Sequence, residues 1–94
     1  MSGKKILLVD DDKKVAESIG AFLKKLGHEM ILALDGEKAL EIVEEENPAL
    51  VMLDMQLPRI NGAEVLTILR NKYKNTKVFI ITGYSKEVKW KCDA

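Results

Sequence analysis

Two textures of apolar residues alternate along the chain. One is a short unbroken run, seen at Ile6-Leu7-Leu8-Val9, Leu50-Val51-Met52-Leu53 and Val78-Phe79-Ile80-Ile81. Runs this short predict strands buried on both faces. Glu29 to Leu34 is a further, shorter strand candidate. The other texture is a stripe at helical spacing. Val15, Ile19, Phe22, Leu23 and Leu26 share one helix face, Ala39, Leu40 and Val43 a second, and Val65, Leu66 and Leu69 a third.

Local punctuation agrees with these elements. Asp12 is an N-cap candidate and Gly27 a helix stop. Asp35-Gly36 opens the second helix, which ends by Asn47-Pro48. Asn61, with Glu64 three positions on, forms a variant capping box before the third helix, which fades at Asn71. Pro58 cannot donate to a ladder and so ends the pairing of the strand that finishes at Asp54. Lys77 to Ile81 is the fourth strand, closed by Thr82-Gly83, and a fourth helix is expected from Ser85 onward. Strand and helix repeated in this order predict an α/β fold: a doubly wound parallel sheet with right-handed crossovers and helices on both faces. Parallel strands align their carboxyl ends. Asp10, Asp11, Asp54 and Thr82 therefore fall on one rim, with Asp54 at the end of a central strand, where ligands gather in open α/β sheets.

Composition narrows the partners. A length of 94 residues predicts one domain, and a hydrophobic share of 47% is enough for a core. Fifteen basic and fifteen acidic residues cancel, so no net charge favours nucleic acid or an anionic membrane. Cys92 is the lone cysteine, which rules out an internal disulfide and fits a reducing, cytoplasmic setting. Lys4 and Lys5 precede an apolar run too short for a signal peptide or a membrane span.

Three carboxylates on one rim repel one another, so either one holds a proton or a cation joins them. Asp10-Asp11-Asp12 alone reads equally as a solvated loop with an N-cap; Asp54 on the neighbouring strand end tips the balance toward a metal. An oxygen-only set with no His or Cys suits Mg2+. A carboxylate beside Mg2+ can attack phosphorus and form an acyl phosphate, with a hydroxyl such as that of Thr82 donating to a phosphoryl oxygen. On its own, Thr82 reads as an ordinary strand-end residue. His28 reads as a surface loop residue, Cys92 as an incidental thiol, and Trp90 as either a buried anchor or an exposed contact.

The chain resembles the receiver domain of bacterial response regulators. The matching pieces are Ile6-Leu7-Leu8-Val9-Asp10-Asp11, Ala33-Leu34-Asp35-Gly36 with Ala39-Leu40, Leu53-Asp54-Met55-Gln56-Leu57-Pro58 with Gly62, and Ile80-Ile81-Thr82-Gly83. Each piece is weak alone; together, in order, they are specific. The resemblance implies a flavodoxin-like fold with strand order 2-1-3-4-5 and the first and fifth helices on one face. It implies that Asp54 accepts a phosphoryl group from a sensor histidine kinase or phosphotransfer protein, and so switches contacts with an output partner. Asp11 and Asp54 would ligate Mg2+ directly with the backbone carbonyl of Gln56, and Asp10 through a metal-bound water. Thr82 would be the switch hydroxyl, and Gln56 and Tyr84 would flank the path of the hydrolytic water. Such a domain catalyses its own phosphorylation and dephosphorylation but is not an enzyme acting on separate substrates.

The resemblance also implies an absence. Receivers carry a fifth strand ending in a lysine that pairs with the phosphoryl group, then a fifth helix. None of the lysines from Lys86 to Lys91 takes that role, because they fall in the fourth-helix region. The expectation is thus a C-terminally truncated receiver over 1–94, order 2-1-3-4, with strand 5 and helix 5 missing. Its fourth strand, Val78 to Ile81, would be an unpaired edge inviting self-association. A second reading follows: a non-switching interaction module that keeps the acid pocket but lacks regulated activity. A haloacid-dehalogenase-like phosphatase, suggested by Asp10-x-Asp12, needs further acids, a lysine and a longer chain. A flavodoxin-like nucleotide binder needs a Gly/Ser/Thr-rich loop where this chain has Asp10 to Lys14.

Overall fold

Every apolar run becomes one strand of a common sheet: β1 (Lys5–Val9), β2 (Glu29–Ala33), β3 (Leu50–Asp54) and β4 (Lys77–Ile81). The computed structural model describes residues 3–57 and 60–81, together with the backbone of 90–93. Between the strands lie α1 (Lys13–Lys25), α2 (Gly36–Glu46) and α3 (Gly62–Lys72). The four strands are parallel in the order β2-β1-β3-β4, the doubly wound arrangement expected. Leu7 of β1 stands between Ile31 and Val51, and Asp54 closes β3 opposite Ile81.

Side-chain alternation divides the core. Leu7, Val9, Val51, Leu53 and Val78 point to the face covered by Ala39, Ile42 and Val43 of α2 and Val65 and Leu69 of α3. Ile6, Leu8, Met52 and Ile81 point to the other face, under Ala16 with Ile19 and Leu23 of α1. Leu7, Leu8, Val9, Val51 and Leu53 are fully buried, as strands covered on both faces require.

The helix ends follow the sequence signals. The Asp12 side chain accepts from the Val15 N–H, and Asp35 does the same for Lys38. Asn61 and Glu64 make a reciprocal capping box. Asn47 ends α2 in the left-handed region at φ 48°, and Gly27, at φ 96°, lies just past α1.

Three sequence expectations need correcting, and His28 gains a contact. Phe22 and Leu26, assigned to the inward stripe of α1, are 62% and 60% exposed, because α1 is the one described helix on its face and its flank is left open. His28 is the loop residue expected, and its Nδ1 accepts the Lys4 backbone N–H at 3.2 Å, which helps tie the start of β1 to β2. The fourth helix expected from Ser85 onward lies outside the described residues as far as position 89, and Trp90–Asp93 are not helical. They form β5, antiparallel to β4, with Ile81 opposite Trp90 and Val78 opposite Asp93. The edge of β4 is therefore paired, so the unpaired ladder groups on which self-association there was expected are already bonded within the chain. Among the described residues, no helix is long and apolar enough to cross a membrane.

Candidate functional site

The site begins with two strand ends. β1 stops at Val9, and the Asp10 N–H still donates to the Ala33 carbonyl at 3.0 Å, holding Asp10 against the sheet. Its side chain is 5% exposed, and one oxygen accepts the Asp12 N–H at 2.9 Å. Asp12 turns away to cap α1, which leaves Asp11 exposed beside the rim. On β3, Asp54 is half-buried, and its Oδ1 accepts the Gln56 N–H at 2.9 Å. This tight turn redirects the chain as soon as the strand ends.

The loop after Asp54 is pinned twice. The Met55 N–H donates to Ile81 at 3.3 Å, and the Gly62 N–H at the start of α3 donates back to Met55 at 3.2 Å. The backbone at Gly62 comes so close that an added Cβ would lie 2.6 Å from the Asp54 carbonyl oxygen. Glycine is required here for close approach. In the sequence Gly62 was one residue of a matching pattern; its task of seating α3 against the Asp54 turn appears only in three dimensions.

Asp10, Asp11 and Asp54 each present an oxygen, and these oxygens lie within 4.8 Å of one another. Burial raises the Asp54 pKa above the ordinary carboxylate value, the Gln56 N–H opposes that rise, and the nearby charges of Asp10 and Asp11 add to it. A divalent cation eases the conflict, because its two positive charges offset most of the repulsion among the three carboxylates. The donors are hard oxygens, and the cluster contains neither His nor Cys, so the set fits Mg2+. Gln56 is exposed at the mouth of this turn. Thr82, Tyr84, Lys86 and Lys89 lie outside the described residues, and of Lys91 only the backbone, in β5, is described.

An acid trio at the carboxyl rim of a 2-1-3-4 parallel sheet defines a class. The chain belongs to the response regulator receiver domain family, whose model matches residues 6–91. Solved structures agree. The receiver domain of Francisella response regulator 1452 is 32% identical with a TM-score of 0.82, over 89% of this chain and 69% of that one. Thermotoga maritima response regulator TrrA, in complex with Mg(2+)-BeF, is 39% identical with a TM-score of 0.83, over 87% and 71%. The BeF3-activated N-terminal receiver domain of Klebsiella pneumoniae RstA is 30% identical with a TM-score of 0.81, over 88% and 70%. Receiver domains are signalling domains, and this chain has their fold and their acidic pocket.

Proposed function

We propose that the chain is one receiver unit over residues 1–94 that takes a phosphoryl group onto Asp54, with Mg2+, from a histidine kinase or phosphotransfer protein in the cytoplasm. The observation that carries this reading is the meeting of Asp10, Asp11 and Asp54 at one strand rim. A relative that holds Mg(2+)-BeF and another described as BeF3-activated support it. Asp11 and Asp54, with the Gln56 carbonyl, would hold the ion, and Asp10 would act through a water. When bound, Mg2+ supplies charge neutralisation for the transferring oxygens.

The chemistry rests on Asp54. A carboxylate oxygen attacks the phosphorus of a phosphohistidine, forming an O–P bond as the P–N bond breaks. The departing imidazole keeps the electron pair and takes a proton from water. The Gln56 N–H bonded to Asp54 Oδ1 fixes the rotamer, leaving the other oxygen to attack. Thr82 is assigned the switch hydroxyl that bonds the transferred group and passes the change to an output partner.

A second reading is favoured by β5. The antiparallel segment Trp90–Asp93 occupies the edge of β4, where the family resemblance calls for a parallel strand carrying the phosphoryl-binding lysine. A non-switching assembly module that keeps the acid pocket but takes no phosphoryl group would fit that arrangement. Phosphoramidate, a small donor with a P–N bond, separates the two readings. With Mg2+, the phosphoacceptor reading expects one phosphoryl group per chain by intact mass, removed by hydroxylamine. No gain in mass under these conditions would leave the assembly reading standing.

A further inference from the structure

Two glycines mark the places where the start of α3 meets other parts of the chain. Gly62 seats α3 on the Asp54 turn: its N–H donates to the Met55 carbonyl, and an added Cβ would collide with Met55 Cα and lie 2.6 Å from the Asp54 carbonyl oxygen. Gly36, the first residue of α2, lies against the other side of the same segment. A Cβ there would lie 2.7 Å from Ile60 Cγ2, 2.7 Å from Val65 Cγ2 and 2.9 Å from the Ile60 carbonyl oxygen. Ile60 and Val65 are β-branched, so their γ carbons are held close to the backbone and do not swing aside freely. Gly36 is buried, and its φ is not in the left-handed region. Space, rather than backbone conformation, demands glycine here. Alanine is the better helix former, so the choice suits the neighbours of α2 and not α2 itself.

Residues 60–62 thus form a wedge between α2 and the Asp54 turn. On one side Ile60 abuts Gly36; on the other, Gly62 abuts Met55 and Asp54. The wedge is stiff. Asn61, at its centre, exchanges capping bonds with Glu64, and Val65 is fully buried behind it. α2 is fixed in turn. Asp35 accepts the Lys38 N–H at 2.8 Å, and Ala39, Ile42 and Val43 lie in the core. Interiors packed this closely transmit strain. A displacement at Gly36 passes through Ile60 and Gly62 to the backbone of Asp54 and Met55, and so to the turn in which the Gln56 N–H holds Asp54 Oδ1.

We infer, on the reading of Asp54 as a Mg2+-binding phosphoacceptor, that Gly36 is a positioning residue for the acid site. Acting through the wedge rather than on the ion, it sets where Asp54 stands relative to Asp10 and Asp11.

The full chain and three variants test this. Backbone amide resonances of Met55 and Gln56 are recorded in EDTA, and Mg2+ affinity is then measured by titration. Gly36→Ala overfills the contact and Ile60→Ala empties it. Each is expected to weaken Mg2+ binding on the order of tenfold and to move both resonances. Ile42→Val, which trims α2 further along the helix, lowers stability and is expected to keep the parent's affinity and resonances. Parent affinity in either wedge variant, or an equal loss in Ile42→Val, would overturn the inference. Should Gly36→Ala not fold, Ile60→Ala carries the test. If the parent itself takes up no Mg2+, the metal reading fails and the spectra in EDTA decide: unmoved Met55 and Gln56 resonances in the wedge variants overturn the inference, and moved ones uphold it.

Discussion

At Asp54, burial and the charges of Asp10 and Asp11 work against ionisation, while the Gln56 N–H works for it. The net effect is a raised pKa, and its sign has a consequence for stability. Because the folded value lies above the ordinary 3.8, the folded state binds more protons than the unfolded state between the two. The contribution of Asp54 is therefore fully present below the ordinary value and is lost as pH rises through the folded one. In EDTA at neutral pH, Asp54→Asn should be slightly more stable than the parent, the gain kept small because the carboxyl is half-exposed. Urea midpoints should converge as pH falls toward the ordinary value, and added Mg2+ should stabilise the parent but not the variant. Gly62→Ala makes a second case. A methyl there meets the Asp54 carbonyl, so a loss of about 1–3 kcal/mol is expected, with a weaker response to Mg2+. Unchanged stability in that variant would show that α3 is not seated on the Asp54 turn.

The helices owe much of their definition to their caps. In α3, Asn61 accepts the Glu64 N–H at 3.0 Å, and Glu64 returns the bond to Asn61. Asn61→Ala should cost about 1 kcal/mol, a fall in thermal midpoint of about 4–8 °C for a domain of this size. Melting followed by circular dichroism would check it. These elements were legible in the sequence because period and cap coincide: Asp12, Asp35 and Asn61 all precede a stripe of matching spacing. The acid trio was legible for a related reason, since parallel strands bring their carboxyl ends together and Asp10 and Asp54 each end an apolar run. Two features were not. Phe22 and Leu26 fit the stripe of α1, but periodicity gives the face of a helix and not whether a neighbour covers its flank. Trp90–Asp93 is too short and too polar to announce a strand, and its antiparallel pairing depends on an edge of β4 that only the assembled sheet presents.

At the scale of the molecule, the sheet places chemistry and packing at separate locations. The acid trio sits on the carboxyl rim, whereas the two core layers lie on the faces of the sheet. Metal at the rim should stabilise the whole fold by mass action, by about 2.7 kcal/mol at one hundred times its dissociation constant. Asp11→Asn should remove most of that gain in a thermal-shift titration. The central claim is that Asp54 is the phosphoacceptor, and localisation of the phosphoryl group tests it most directly. The full chain and its Asp54→Asn variant are incubated with acetyl phosphate and Mg2+ and then fragmented in a mass spectrometer. The account predicts a single modification, on Asp54, formed slowly, absent in EDTA and absent in the variant. A phosphoryl group that persists in Asp54→Asn, or that maps to another residue of the parent chain, would contradict it.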